Sequence, residues 1–126
     1  MDQPNLIKII IIDDHPLFRK GVKNLLSMNP LFTVIGEAAN GDDGIQLAIE
    51  TSPDLILLDI DMKGMNGIET LTLLKQERLP SKVIMLSVSN HESDVLDALR
   101  SGADGYLLKD MEPEQILEKI EQAADG

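Results

Sequence analysis

The chain alternates short apolar runs with longer segments in which apolar residues recur every three or four positions. The short runs are rich in β-branched residues and are typical of buried strands, whereas the longer segments predict amphipathic helices. The predicted strands cover residues 6–12, 33–38, 55–58, 82–87 and 106–108. The predicted helices cover residues 16–28, 41–50, 67–76, 93–101 and 113–124. Strand and helix thus alternate five times.

The strand runs are almost continuously apolar, as in Leu55-Ile-Leu-Leu58, which predicts strands that are covered on both faces. Right-handed crossovers between parallel strands place the connecting helices on the two sides of one sheet. The pattern therefore predicts an α/β fold of the flavodoxin-like (βα)5 type, a doubly wound five-stranded parallel sheet with helices on both faces. The length of 126 residues fits one domain over residues 1–126.

The composition restricts the cellular compartments and the binding partners that the protein can have. The absence of cysteine excludes a disulfide framework and suits a reducing cytoplasm. The apolar run Ile9–Ile12 is too short to span a membrane, and no basic segment precedes it as in a signal peptide. The net charge of −11 would repel a phosphate backbone. We therefore expect a cytoplasmic protein that associates with no membrane and does not itself bind DNA.

Polar residues follow four of the predicted strands. They are Asp13 and Asp14 after the first strand, Asp59 and Asp61 after the third, Ser87 after the fourth and Lys109 after the fifth. A single acid in such a position is usually a helix cap or a turn residue. The carboxyl ends of parallel strands converge, however, and ligands of doubly wound sheets bind there. Acids, a hydroxyl and an amine at four strand ends therefore favour a functional site.

The residue types at these strand ends suit phosphoryl chemistry. Two carboxylates about 4 Å apart repel by roughly 4 kcal/mol at an effective dielectric of ~20, so a crowded group of acids favours a divalent cation. Mg²⁺ prefers oxygen ligands and is commonly held by one or two carboxylates and a phosphate. A remaining carboxylate can attack phosphorus and form a mixed anhydride. Ser87 and Lys109 can each bind one phosphoryl oxygen.

Along its whole length the chain resembles the receiver domain of bacterial response regulators. The resemblance implies that Asp59 accepts a phosphoryl group and that Mg²⁺ is the cofactor. It also implies that Asp13, Asp14 and Asp59 bind the metal, with Asp14 as the principal direct ligand, and that Asp61 contributes its backbone carbonyl. The implied protein is a regulatory phospho-acceptor and not an enzyme, although it assists its own phosphotransfer and slow dephosphorylation.

Three further residues gain a role from the same resemblance. Ser87 and Tyr106 correspond to the switch pair, in which the aromatic ring turns inward when the hydroxyl moves toward the phosphoryl group. Lys109 corresponds to the family's lysine beside the acceptor. From the sequence alone, Tyr106 has an equally good alternative as the one large residue on a short edge strand.

Three segments show a closer likeness to the nitrate/nitrite-responsive regulators of the NarL/NarP type. They are Asp13-Asp-His-Pro16, Leu86-Ser-Val-Ser-Asn-His91 and the stretch from Gly102 to Pro113. The likeness implies a sensor histidine kinase as partner and a homodimer on phosphorylation. It also implies a C-terminal helix-turn-helix output domain that lies outside these 126 residues and through which DNA would be bound.

The sequence departs from the general receiver pattern at two positions. Lys63 stands where many receivers have proline, and Asp110 stands where many have a proline with a cis bond. Because a cis bond before a residue other than proline costs about 3 kcal/mol, we expect a trans bond there. His15 and His91 are predicted to lie outside the metal site, since Mg²⁺ prefers oxygen.

Three alternatives remain. Asp59-Ile-Asp-Met62 matches the first part of the haloacid dehalogenase phosphatase signature, but those enzymes carry it on the first strand, with Thr or Val at the position of Lys63. A flavin- or nucleotide-binding module would need a phosphate-cradling loop where Asp13 and Asp14 would repel phosphate. A stand-alone receiver that serves as a phosphate sink differs from a transcription regulator only in the length of its natural reading frame.

Overall fold

The computed structural model describes residues 6–88 and 92–125, and these contain five strands and five helices. The strands are β1 (Ile7–Ile12), β2 (Phe32–Ala38), β3 (Leu55–Asp59), β4 (Lys82–Ser87) and β5 (Gly105–Leu108). The helices are α1 (Pro16–Leu26), α2 (Gly41–Thr51), α3 (Gly67–Gln76), α4 (Glu92–Arg100) and α5 (Pro113–Asp125). Each predicted element is present, with its bounds shifted by at most two residues.

The strands pair in the order β2-β1-β3-β4-β5, and all four pairings are parallel. This order confirms the predicted flavodoxin-like sheet. The direction of winding changes between β1 and β3, which are neighbours and pair Ile12 with Leu58. The residues that follow these two strands therefore lie side by side at the switch point, where ligands of such sheets bind.

The two central strands are buried on both faces because helices cover both sides of the sheet. Ile10, Ile12, Ile56 and Leu58 point into a core layer that includes Leu71 of α3. The alternate residues of the same strands point into a second layer with α1 and α5; they are Ile9, Ile11, Leu55 and Leu57. Full burial of each such side chain stabilises the fold by about 1.5–3 kcal/mol. The strand ends that carry the acids are thus held in a well-packed frame.

Local chemistry explains where α1 begins and ends. Pro16 occupies the first turn of α1, where its missing N–H costs nothing. The helix ends at Leu26, two residues before the predicted end, because Ser27 donates its hydroxyl to the carbonyl of Asn24 and Met28 lies 71% exposed.

Within the described residues, 6–88 and 92–125, no peptide bond is cis. This confirms the trans bond that was expected before Asp110.

None of the helices in the described part of the chain combines the length and apolar character that a membrane span needs.

Candidate functional site

The sheet brings the predicted site residues to one edge. Asp59 ends β3 opposite Leu86 of β4, and Asp13 directly follows β1 with its N–H donated to the carbonyl of Ala38, 3.0 Å away. The N–H of Lys109 donates to the carbonyl of Ser87 at 2.8 Å, which fixes the start of the lysine beside the end of β4. The residues are therefore placed by the sheet and not by flexible loops.

Three carboxylates form the centre of the site, an acidic cluster defined here as Asp13, Asp14 and Asp59. The side chains of Asp13 and Asp59 are fully buried, and that of Asp14 is 21% exposed. One buried oxygen of each, namely Asp13 Oδ2, Asp14 Oδ1 and Asp59 Oδ2, accepts no hydrogen bond. Buried carboxylate oxygens without donors are costly unless a cation lies close to them. The acidic cluster is therefore of the kind typical of a Mg²⁺ site, and its residues fit that ion.

Lys109 supplies positive charge to the same pocket. Its Nζ atom lies 2.8 Å from Asp13 Oδ2 and 3.4 Å from Asp59 Oδ2, and its side chain is 9% exposed. The ammonium also lies 4.5 Å from the centroid of the Phe18 ring in α1, a favourable cation–π distance. The lysine is thus held between the end of β3 and α1, and it compensates part of the charge of the acidic cluster.

The environment of Asp59 favours its protonated form. Burial, and to a smaller extent the charge of Asp13, raise the pKa of Asp59 from 3.8 to about 6. The N–H of Asp61, which donates to Asp59 Oδ1 at 3.0 Å, and the ammonium of Lys109 act in the opposite direction and lower this pKa. A perturbed carboxyl in a polar pocket marks a functional candidate.

The loop after β3 is anchored to two of the acids. Besides the bond from Asp61 to Asp59, the backbone N–H of Lys63 donates to Asp14 Oδ2 at 3.2 Å. Many receivers have proline at this position, and proline has no backbone N–H to donate. Lys63 therefore adds a hydrogen bond to the site. Gly67 then packs against β3 so closely that a Cβ atom would lie 2.4 Å from the carbonyl oxygen of Asp59. The end of β3 and the start of α3 therefore form one closely packed unit.

Ser87 lies at the site but interacts with an acid that was expected to act only through its backbone. Its hydroxyl donates to Asp61 Oδ2 at 3.2 Å.

Tyr106 is half-buried on β5, the edge strand, and packs against the core layer of Leu71 and Met85. The edge position agrees with the sequence, whereas the switch roles of Ser87 and Tyr106 stay predictions.

Two residues at the site were not assigned a role from the sequence. His15 places its Nδ1 atom 3.0 Å from Asp13 Oδ1, 3.3 Å from Asp14 Oδ1 and 3.5 Å from Asp59 Oδ2. Arg19 of α1 donates to the carbonyl of Asp13 and, at 2.9 Å, to Glu37.

The sequence contains a signal for the position of His15 but none for the contact between Arg19 and Glu37. Pro16 restricts His15 to extended backbone, so the order Asp-Asp-His-Pro signals a side chain near the acids. Hydrogen bonds from Lys23 and Arg19 lower the pKa of Glu37, a pairing between α1 and β2 that no local pattern indicates. His91 lies outside the described residues.

The fold and the acidic cluster at its switch point define a receiver-type domain, and the comparison with known families agrees. The model of the response regulator receiver domain matches residues 9–121. The chain therefore belongs to the response regulator receiver domain family. This membership decides against the phosphatase and the nucleotide-binding alternatives.

Individual relatives give the same result. The chain is 59% identical over 118 residues to the nitrate/nitrite response regulator protein NarL of Escherichia coli K12, covering 94% of this chain and 55% of the relative. It is 44% identical to NarP of the same organism, covering 100% of this chain and 59% of the relative. The signal receiver domain of a NarL from Mycobacterium tuberculosis superposes with a TM-score of 0.92 at 36% identity, covering 98% and 99% of the two chains.

Proposed function

We propose that the domain accepts a phosphoryl group on Asp59 from a partner sensor histidine kinase, in the cytoplasm and with Mg²⁺ as cofactor. One observation supports this proposal more strongly than any other. Asp59 Oδ2 is buried at the switch point, accepts no hydrogen bond, and lies 3.4 Å from the ammonium of Lys109. A nucleophilic oxygen next to a cation, with two further acids beside it, matches the needs of phosphoryl transfer to a carboxylate.

In the proposed reaction Asp59 Oδ2 attacks phosphorus while the bond from phosphorus to the donor nitrogen breaks, and the electron pair leaves with the kinase histidine. The N–H of Asp61 holds Asp59 Oδ1, which leaves Oδ2 as the attacking atom. Lys109 binds a phosphoryl oxygen from its place beside both carboxylates. The acidic cluster and the backbone carbonyl of Asp61 would hold Mg²⁺, which when bound would supply positive charge to the carboxylates and to a phosphoryl oxygen.

The proposed switch begins at Ser87. Its hydroxyl exchanges Asp61 for a phosphoryl oxygen, and Tyr106 turns toward the space that this movement opens. Because Tyr106 lies on the edge strand, the charge change at Asp59 would alter the outer surface of β5 and its neighbouring helices. The domain would act as a regulator that assists its own phosphotransfer and its slow dephosphorylation.

The chain spans little more than half the length of its curated relatives, 55% of NarL and 59% of NarP. We propose that residues 1–126 form the receiver part of such a regulator, and that a C-terminal helix-turn-helix domain binds DNA and controls transcription in response to nitrate or nitrite. Phosphorylation would promote a homodimer. A stand-alone phosphate sink is the alternative.

Uptake of phosphate should require both the donor and the metal. Incubated with Mg²⁺ and a small acyl phosphate, the domain should gain the mass of one phosphoryl group, because one ammonium, that of Lys109, compensates only part of the charge of three carboxylates. Intact-mass spectrometry measures the gain, and chelator in place of Mg²⁺ is the control. Equal uptake in chelator would contradict the proposed metal dependence.

Asp14→Asn should weaken Mg²⁺ binding by roughly 10- to 100-fold, as losses around a metal site typically do. The substitution removes the charge of a carboxylate whose Oδ1 accepts no hydrogen bond, while an amide oxygen can still accept the N–H of Lys63. Isothermal titration calorimetry compares the two proteins. Asp42→Asn, an exposed acid in the first turn of α2, is the control and should bind Mg²⁺ like the parent protein.

A further inference from the structure

His15 contributes a nitrogen to the acidic cluster. Its imidazole Nδ1 faces one oxygen from each acid at 3.0, 3.3 and 3.5 Å, and one ligand atom from each of these four residues lies within 4.8 Å of all the others. Asp13 and Asp59 are fully buried, and two of the three oxygens that face the imidazole, Asp14 Oδ1 and Asp59 Oδ2, accept no hydrogen bond. The site therefore offers three oxygens and one nitrogen.

The backbone holds the imidazole in this place. The N–H of His15 donates to Asp13 Oδ1 at 2.8 Å, and Pro16 keeps His15 in extended backbone with φ −102° and ψ 101°. The side chain is 55% exposed, so its position follows from this turn and from the carboxylates and not from burial in the core.

The spacing of the four atoms suits a small divalent cation. Bonds of about 2.1 Å place neighbouring ligand atoms about 3.0 Å apart in an octahedral site and about 3.4 Å apart in a tetrahedral one, and the three distances from Nδ1 span those values. A nitrogen changes which cation is favoured, because imidazole suits zinc and its first-row neighbours whereas Mg²⁺ prefers oxygen.

Lys109 is the cation that such an ion would have to accommodate. Its Nζ atom lies 3.1 Å from Nδ1 of His15 and 2.8 Å from Asp13 Oδ2. The Oδ1 atom of Asp13 faces His15 instead, so the lysine and the ligand set use different oxygens of that carboxylate. A metal ion can therefore bind while Lys109 keeps its contacts with Asp13 Oδ2 and with the ring of Phe18.

We infer that His15 is a metal ligand that gives this receiver site a preference for zinc-class divalent cations over Mg²⁺. The inference rests on the proposed metal site of the acidic cluster and adds a nitrogen ligand, which increases the selectivity of the acids for Zn²⁺ over Mg²⁺. Zn²⁺ and Mg²⁺ compete for the site, and only Zn²⁺ uses Nδ1 of His15.

Calorimetric titrations with Zn²⁺ and with Mg²⁺, on the parent protein and His15→Gln, test the selectivity. We expect Zn²⁺ to bind the parent more tightly than Mg²⁺, and we expect the substitution to weaken Zn²⁺ by about 10- to 100-fold while the Mg²⁺ affinity changes less than about threefold. Leu17→Ala, on an exposed side chain two residues further along, is the matched control and should change neither affinity.

Nitrogen NMR of the ¹⁵N-labelled imidazoles identifies the ligand atom. Addition of Zn²⁺ should shift Nδ1 of one histidine, and that signal should vanish in His15→Gln and persist in His91→Gln. Equal loss of Zn²⁺ and Mg²⁺ affinity in His15→Gln, no change in either, or a shift that belongs to His91 would overturn the inference. If the parent protein binds Mg²⁺ but shows no preference for Zn²⁺, the inference about His15 is wrong and the proposed metal site stands. If the parent protein binds neither ion, the proposed metal site is wrong as well.

Discussion

Asp59→Asn should abolish phosphoryl uptake from a small acyl phosphate in the presence of Mg²⁺. An amide oxygen is a far weaker nucleophile than a carboxylate, and the substitution removes the charge that holds Lys109 at 3.4 Å. The fold should survive because asparagine has nearly the same shape and its oxygen can still accept the N–H of Asp61. Intact-mass spectrometry of both proteins under one set of conditions measures the difference.

Asp54→Asn is the matched control for this loss. Asp54 directly precedes β3, at the opposite end of the strand from Asp59, and its exposed carboxylate accepts the N–H of Lys8 at 2.8 Å. The control should take up phosphate like the parent protein. If Asp59→Asn retained most of the labelling, the acceptor would have to be another residue, and peptide mapping of the labelled protein would locate it.

The sheet and the placement of the acids were predictable because they depend on strong, local signals. The uninterrupted apolar run Leu55–Leu58 indicates a strand that is buried on both faces, and the acid after it must then lie at the carboxyl edge. Lys109 was found in the same way, since the short strand before it points to the same edge. The contact of Lys109 with Phe18 of α1 was not predictable, because no local pattern shows which side chain lies beneath the ammonium.

The finer contacts of the site were not predictable because side-chain rotamers and loop paths decide them. Ser87 was placed at the site by its strand, but its hydrogen bond to the carboxylate of Asp61 depends on how the loop after β3 folds back. Lys63 was noted only as a departure from proline, and the structure shows that its backbone N–H donates to Asp14. His15 was predicted to lie outside the metal site because Mg²⁺ prefers oxygen, and a local turn brings it to the acids.

The pH dependence of stability provides a second large expected effect, with Asp59 as the main titrating group. Its pKa is 3.8 as a free side chain and about 6 in the folded protein, first because of burial and then because of Asp13. Between these values the folded state binds more protons than the unfolded state, so the free energy of unfolding decreases as pH rises through this window. The destabilising contribution is absent below pH 3.8 and complete above pH 6.

In chelator at pH 7, Asp59→Asn should therefore be more stable than the parent protein, because it lacks the buried charge. The pKa difference corresponds to at most about 3 kcal/mol, and relaxation of the pocket makes roughly 1–2 kcal/mol the expected gain, or a few degrees in Tm. The gain should shrink toward pH 4, where Asp59 of the parent is protonated. Thermal melts at pH 4, 5, 6 and 7 measure this gain in stability. At pH 7, Mg²⁺ should raise the Tm of the parent more than that of the variant, because the ion binds the folded acidic cluster. A gain that stayed constant from pH 4 to pH 7 would assign the stabilisation to packing and not to the buried charge of Asp59.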